Sequence, residues 1–341
     1  MPQNEDGAVM PIDLTPVISS EMFCDWLGTR PGDAVGFKLL GHGEYNINYL
    51  FRRPSTGDKL VLRIPMGSQM HLRNQVRYEF EALLLLEPSG RTPEPLYIDD
   101  TLTVIPYGFM VMDFLPGRTL RYESDLAQAA QCLADIHSLD IPADNHLIVP
   151  ENPLAAILEE CFVMAGHYFN SSLAAPEVKQ LIRALLERGQ KLAESAKAAD
   201  RRCLINTELN SGNFLVNDDK TYLIDWEKPL FACPGQDLGH FLAPTTTLWK
   251  TDSILSEKEI HNFMESYCAV SARFNDPEAL WEMTKPFFVM TCLRGITWCA
   301  MAWVEYQAPG RPLKDAFTFE KIKYYLTPEF LELIRKEYFG G

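Results

Sequence analysis

Three oxygen-bearing side chains, Glu208, Asn213 and Asp225, fall in one short stretch between Cys203 and Trp226. Apolar runs separate them: Cys203-Leu204-Ile205, Phe214-Leu215-Val216 and Tyr222-Leu223-Ile224. With a turn at Asn217–Lys220, the last two runs predict a hairpin. Asn213 begins one of its strands and Asp225 ends the other, so its open end brings an amide oxygen and a carboxylate together. Such a pair suits magnesium, a hard cation that takes one or two protein oxygens and leaves its other positions to substrate phosphates. Glu208 enters the hairpin five residues before Asn213, where it can accept a proton from an attacking hydroxyl. The same residue types are common at turns and strand ends, so spacing alone leaves both readings open.

The elements that must position this segment are legible around it. The first third reads as strands over residues 36–40, 45–52, 59–64, 95–98 and 108–114, with turn chemistry at Pro54-Ser55-Thr56-Gly57-Asp58. A helix around residues 72–86 interrupts them, with Val76, Phe80, Leu83 and Leu84 at helical spacing. After Leu115-Pro116-Gly117 the pattern turns helical. Helices are expected over 124–139 and 176–198, and after the capping box Ser256-Glu257-Lys258-Glu259. Asp276-Pro277 and Thr327-Pro328 each place a capping residue before a proline. The expectation is an α+β chain of two lobes: residues 1–115 with a small β-rich N-lobe, and 116–341 as a larger, mostly helical C-lobe.

The central segment resembles the aminoglycoside phosphotransferase and choline kinase-like small-molecule kinases, which share a protein kinase-like fold. Their signature is H-G-D-x-x-x-x-N followed by a strand ending in I-D-[WF]. It is met by Asn206-Thr207-Glu208-Leu209-Asn210-Ser211-Gly212-Asn213 and Leu223-Ile224-Asp225-Trp226. Pro234-Gly235-Gln236-Asp237-Leu238-Gly239 is similar to the family's stretch that braces the metal loop, and His137 stands where an L-A-x-L-H helix ends. The resemblance spans about residues 36–310. It implies that Glu208 is the catalytic carboxylate, that Asn213 and Asp225 hold magnesium, and that ATP or GTP is the phosphoryl donor. It further implies a phosphate-covering loop with Gly41, Gly43, Glu44 and Asn46, and a phosphate-gripping Arg63 with Glu79 as its helix partner. Adenine would meet hinge backbone near Asp113 and Leu115. Two positions depart from the pattern: Glu208 replaces Asp, and Asn206 replaces His. A misplacement of about 1 Å can cost roughly 10²-fold where positioning dominates catalysis. The two expectations are therefore a phosphotransferase acting on a small-molecule hydroxyl (amino alcohol, aminoglycoside or sugar-like) and a nucleotide-binding pseudokinase.

For the acceptor, Trp298, Trp303 and Tyr306, with Glu305, can frame a cationic amine or simply fill the helical core. Trp249 and Asp252 are further candidates for the pocket border. Glu227 and Asp237 near the cleft favour a basic acceptor, with bracing the other role for Asp237. Across the chain, 31 basic and 46 acidic residues leave a net charge of −15, which argues against nucleic acid as a partner. The eight scattered cysteines show no C-x-x-C spacing and read as buried reduced thiols. Residues 1–16 lack a leader pattern, and no apolar run reads as a membrane span, so a cytoplasmic protein is expected. No G-x-x-x-x-G-K-[ST], H-R-D or D-F-G motif occurs.

Overall fold

In the computed structural model, residues 12–43, 45–195, 201–307 and 316–340 are described. Glu44, residues 1–11 and positions 196–198 of the helix expected over 176–198 lie outside them.

The chain opens with two short helices, α1 (Thr15–Ser19) and α2 (Glu21–Leu27). Next come β1 (Lys38–His42), β2 (Asn46–Arg52), β3 (Lys59–Pro65), α3 (Gln75–Leu86), β4 (Pro95–Asp99) and β5 (Phe109–Asp113). The five strands form one antiparallel sheet in the order β1-β2-β3-β5-β4. Alternation in β2 sends Ile47, Tyr49 and Phe51 to one face, where they pack with Leu60, Leu62, Ile64, Phe109 and Val111. The two opening helices, unforeseen in sequence, cap this core with Val17, Phe23 and Leu27.

α3 begins where Asn74 accepts a hydrogen bond from Arg77 N. Its apolar residues Val76, Tyr78, Ala82, Leu83 and Leu86 join the large core of the helical half, not the sheet's own core. Tyr78 donates its hydroxyl proton to Pro229 O at 2.6 Å. The helix therefore ties the sheet to the helical half, and the two halves do not have wholly separate cores.

Beyond β5 come β6 (Arg118–Thr119), α4 (Tyr122–His137), α5 (Pro153–Phe169) and α6 (Pro176–Ser195). The β-rich interlude holds β7 (Cys203–Ile205), β8 (Phe214–Val216), β9 (Thr221–Leu223) and β10 (Leu230–Ala232). α7 (Pro234–Leu242), α8 (Pro244–Lys250), α9 (Glu257–Val270), α10 (Pro277–Tyr306), α11 (Ala316–Tyr325) and α12 (Pro328–Tyr338) complete the chain. The expected caps at Ser256, Asp276 and Thr327 each accept the backbone N–H three residues on. α10 corrects one expectation: by length and composition it can cross a membrane. Two thirds of its apolar window is buried, because it is the central helix that α5, α7 and α6 pack against. All eight cysteines are free thiols.

Candidate active site

Two short ladders frame the site. β8 and β9 form the expected hairpin, and β10 pairs with β7. Asn213 sits in a single 3-10 turn just before β8, and Asp225 lies two residues past β9. Ile224 N donates to Asn213 O at 2.8 Å, which closes the hairpin's open end and draws the two residues together. Asp225 takes a left-handed backbone, φ 65°, which turns its side chain away from the strand direction; the side chain is 43% exposed. Thr207, beside Glu208, has φ 78°. A β-branched residue in that region is held by its surroundings, a feature that clusters at functional sites.

What holds Thr207 is Asp237. This fully buried carboxylate accepts Thr207 N at 2.7 Å and Asn206 N at 2.8 Å, and lies 3.3 Å from His137 Nε2. His137 Nδ1 meets the Tyr267 hydroxyl at 3.1 Å. Asn206, at the position of the family's His, does its own bracing. Its Nδ2 donates to Asp225 O at 2.9 Å and its Oδ1 accepts from Glu208 N at 3.3 Å. One amide thus ties the Glu208 loop to the Asp225 loop.

Glu208, Asn213 and Asp225 line a single cavity of about 230 Å³, together with Asn206, Asn210, Glu227, Lys228 and His240. Glu208 is not alone. Its Oε1 receives Lys228 Nζ at 3.0 Å and an Arg294 guanidinium nitrogen at 3.3 Å. Burial would raise this carboxyl, but the two cations outweigh it and hold it at about 2. Lys228 and Arg294 were not singled out in the sequence. Lys228 had a usable signal, three residues after Asp225; Arg294, on a distant helix, had none. His240 was also missed. Its Nδ1 lies 2.7 Å from Leu209 O, which makes Nδ1 the protonated nitrogen; burial, then Arg294, lower its pKa.

On the sheet side, Arg63 is 4% exposed. Its Nε donates to Glu79 Oε2 at 2.7 Å and its terminal nitrogen to Asp225 Oδ1 at 3.0 Å. Burial alone would weaken the cation; the carboxylates of Glu79, Asp225 and Glu227 reverse that and strengthen it. Asn46 Nδ2 donates to Glu227 Oε2 at 2.8 Å, and Gln69 Nε2 to Glu227 Oε1 at 2.9 Å. Burial, then the charge of Asp225, push the Glu227 carboxyl up to about 7. Gly43 N donates to Asn46 O at 2.9 Å, and a side chain at Gly43 would crowd the Asn46 amide. Gly41 is within β1 beside a bulge. At the hinge, Asp113 N donates to Glu94 O and Phe114 N to Lys59 O, while Asp113 Oδ1 takes Glu94 N at 2.6 Å. Leu115 lies beyond that ladder.

Of the acidic residues expected near the acceptor, Glu227 lines the cavity and is held there by Asn46, Gln69 and Arg63, while Asp237 takes the bracing role. The charges beside Glu208 are the cations Lys228 and Arg294. The aromatic trio does not converge as a whole. Counted from Arg294 along α10, Trp298 is about 40° round and ~6 Å on, Trp303 about 180° and ~13 Å, and Tyr306 about 120° and ~18 Å. Trp303 Nε1 donates to Leu173 O, and Trp303 and Tyr306 both stack on Phe319. Trp298, 37% exposed and edge-on to Trp249 at 5.3 Å, alone of the three shares the Arg294 face. Asp252 pairs with Lys321 at 3.1 Å.

Among the described residues, no group of three or more His, Cys, Asp or Glu side chains could cage a metal. The Asn213 and Asp225 oxygens fit magnesium nonetheless, since phosphates and water supply the rest of its shell.

A bilobal fold with a brace, a hairpin carrying Asn and Asp, and a buried cation–carboxylate pair above it defines a kinase-like phosphotransferase. The phosphotransferase enzyme family matches residues 36–280, and the chain belongs to it. Solved structures share the fold. One is an ethanolamine kinase of Plasmodium vivax, 14% identical, covering 88% of this chain and 84% of its own, with a TM-score of 0.59. A choline/ethanolamine kinase family protein of Mesorhizobium loti is 19% identical over 95% and 99%, TM-score 0.60. A spectinomycin phosphotransferase solved with ADP and spectinomycin is 16% identical over 89% and 92%, TM-score 0.61. A comparison with curated proteins finds no significant match.

Proposed function

We propose that the chain transfers the γ-phosphoryl group of ATP to the hydroxyl of a small molecule. The observation that carries this is the convergence of Glu208, Asn213 and Asp225 on one cavity, with Arg63 reaching Asp225 from the opposite lobe. The spectinomycin phosphotransferase, solved with ADP and its antibiotic, and the ethanolamine kinase support the class of donor and acceptor.

Asn213 and Asp225 would hold magnesium, which when bound neutralises charge on the phosphates. Arg63, fixed by Glu79, points a guanidinium donor at the same place and suits phosphate oxygens. Hinge backbone near Asp113 and Leu115 would meet the adenine edge. Glu208 accepts a hydrogen bond from the acceptor hydroxyl and aims its oxygen at the γ-phosphorus. As the new O–P bond forms, the bond to the bridging oxygen of ADP breaks. The hydroxyl proton passes to Glu208 and ADP leaves. Such transfer rests on positioning and charge more than on base strength, so a strongly acidic Glu208 is compatible with it.

The test is transfer of labelled phosphate from magnesium-ATP to a panel of amino alcohols, aminoglycosides and sugars, with Asp225→Asn as control. Transfer by the native chain, lost in the variant, is expected. Magnesium-dependent nucleotide binding with no transfer to any acceptor would refute the phosphotransferase and favour the pseudokinase.

A further inference from the structure

We propose that Arg294 is a positioning residue for Glu208: with Lys228 it grips Oε1 and leaves Oε2 to take the acceptor hydroxyl. The proposal rests on the phosphotransferase reading of the same site.

The geometry is specific. Arg294 comes from the middle of α10, and Lys228 from the segment after Asp225. Both reach the same carboxylate oxygen, at 3.3 Å and 3.0 Å. Arg294 is itself oriented. Its Nε donates to Glu160 Oε2 on α5 at 2.9 Å, so the guanidinium bridges two carboxylates from two elements. Its backbone is closely packed: Gly295, next to Arg294, lies so close to Thr245 that an added Cβ would meet it at 2.9 Å.

The grip answers a need created by the residue type. Glu has one more rotatable bond than Asp, and an unrestrained carboxylate would spread over several rotamers. Two donors on one oxygen select one of them. Oε2 is not engaged by either cation. An Asp at position 208 would withdraw its carboxylate by one methylene and lose this contact. The cations and the Glu therefore form a unit, and neither can be changed alone without cost.

The test is a double-mutant cycle on transfer rate. Arg294→Ala should lower kcat by about 10²-fold, the scale of a 1 Å misplacement, with the KM for ATP within a factor of about two, because Arg294 lies away from the nucleotide side. Arg294→Lys should recover most of the loss. In a Glu208→Asp background, Arg294→Ala should change kcat less than about threefold, since the shorter carboxylate no longer meets the guanidinium. Equal losses in both backgrounds, or a change confined to the acceptor KM, would overturn the proposal. A readout independent of turnover separates it from the function itself: the ¹³C carboxyl signal of Glu208, assigned with Glu208→Gln. In the native chain it should stay flat from pH 8 to pH 4 and in Arg294→Ala begin to titrate. If the native chain phosphorylates nothing, the phosphotransferase reading fails while this titration still decides the grip; an unchanged titration in Arg294→Ala rejects it.

Discussion

The Arg63–Glu79 pair makes an asymmetric prediction. Glu79 is 1% exposed, and its two oxygens take Arg63 Nε at 2.7 Å and Gln75 Nε2 at 2.8 Å. Arg63 has a second carboxylate, Asp225 at 3.0 Å, and a third, Glu227, at 3.6 Å. Arg63→Met therefore strands a buried carboxylate on a single neutral donor, which should cost about 3–5 kcal/mol. Glu79→Gln leaves Arg63 with Asp225 and keeps an amide oxygen facing it. That change weakens one charge-assisted hydrogen bond and should cost only about 1.5–3 kcal/mol. The two variants also differ with pH. Burial already raises the Glu79 carboxyl, and Arg63 is what opposes it. Without Arg63 the carboxyl moves further up, so the folded state holds a proton that the unfolded state releases. Stability gained from that proton is full below the unfolded value and is lost as pH rises through the folded one. The deficit of Arg63→Met should thus be largest near pH 8 and shrink toward pH 5, while that of Glu79→Gln, which removes a carboxyl already raised in the native chain, should shrink as pH rises. Urea unfolding at both pH values, followed by tryptophan fluorescence, measures this. Equal costs for the two variants, or a deficit in Arg63→Met that grows as pH falls, would refute the account.

Magnesium-ATP at about 100 times its dissociation constant should stabilise the native chain by about 2.7 kcal/mol, and Asp225→Asn should lose most of that gain; thermal shift with and without magnesium measures it. Gly239→Ala should destabilise by about 3 kcal/mol or more, because an added Cβ would lie 2.5 Å from Phe288 N, where α7 crosses α10; calorimetry checks this. Trp298→Ala should raise the acceptor KM, whereas Trp303→Ala, on the opposite face of α10, should lower stability and leave that KM unchanged.

Much of the fold and part of the site were legible because they are local. The β8–β9 hairpin follows from two apolar triplets around a turn, and the caps at Ser256, Asp276 and Thr327 from side chains that reach only three residues. The Arg63–Glu79 contact needed the family's order of elements, since its partners are 16 positions apart. What stayed hidden depends on faces of helices meeting across the chain. Arg294 is 86 residues from Glu208, in a helix whose apolar residues run all round it, so no periodicity marked that side chain as inward-facing. The aromatic trio was misleading for the opposite reason. The three are close in sequence, and Trp303 and Tyr306 meet on Phe319, but at 100° per residue Trp298 stands apart from both.

The two departures from the family signature, Glu208 and Asn206, have different structural meanings. Asn206 keeps a bracing role with a different group, because its amide spans from Glu208 N to Asp225 O and needs no charge to do so. Glu208 keeps the charge but changes the reach, and the structure meets that change with cations. Those cations draw the carboxyl down to about 2, which would disable a group whose task was to remove a proton early. In a loose transition state the nucleophile loses its proton late, and what matters is where its oxygen points. A carboxylate that is a poor base and firmly held suits that requirement. A free, more basic carboxylate would favour proton uptake at the expense of direction. The pH profile separates these cases: if Glu208 is an ionised orienting group, kcat should show no acid limb from it between pH 5 and pH 8.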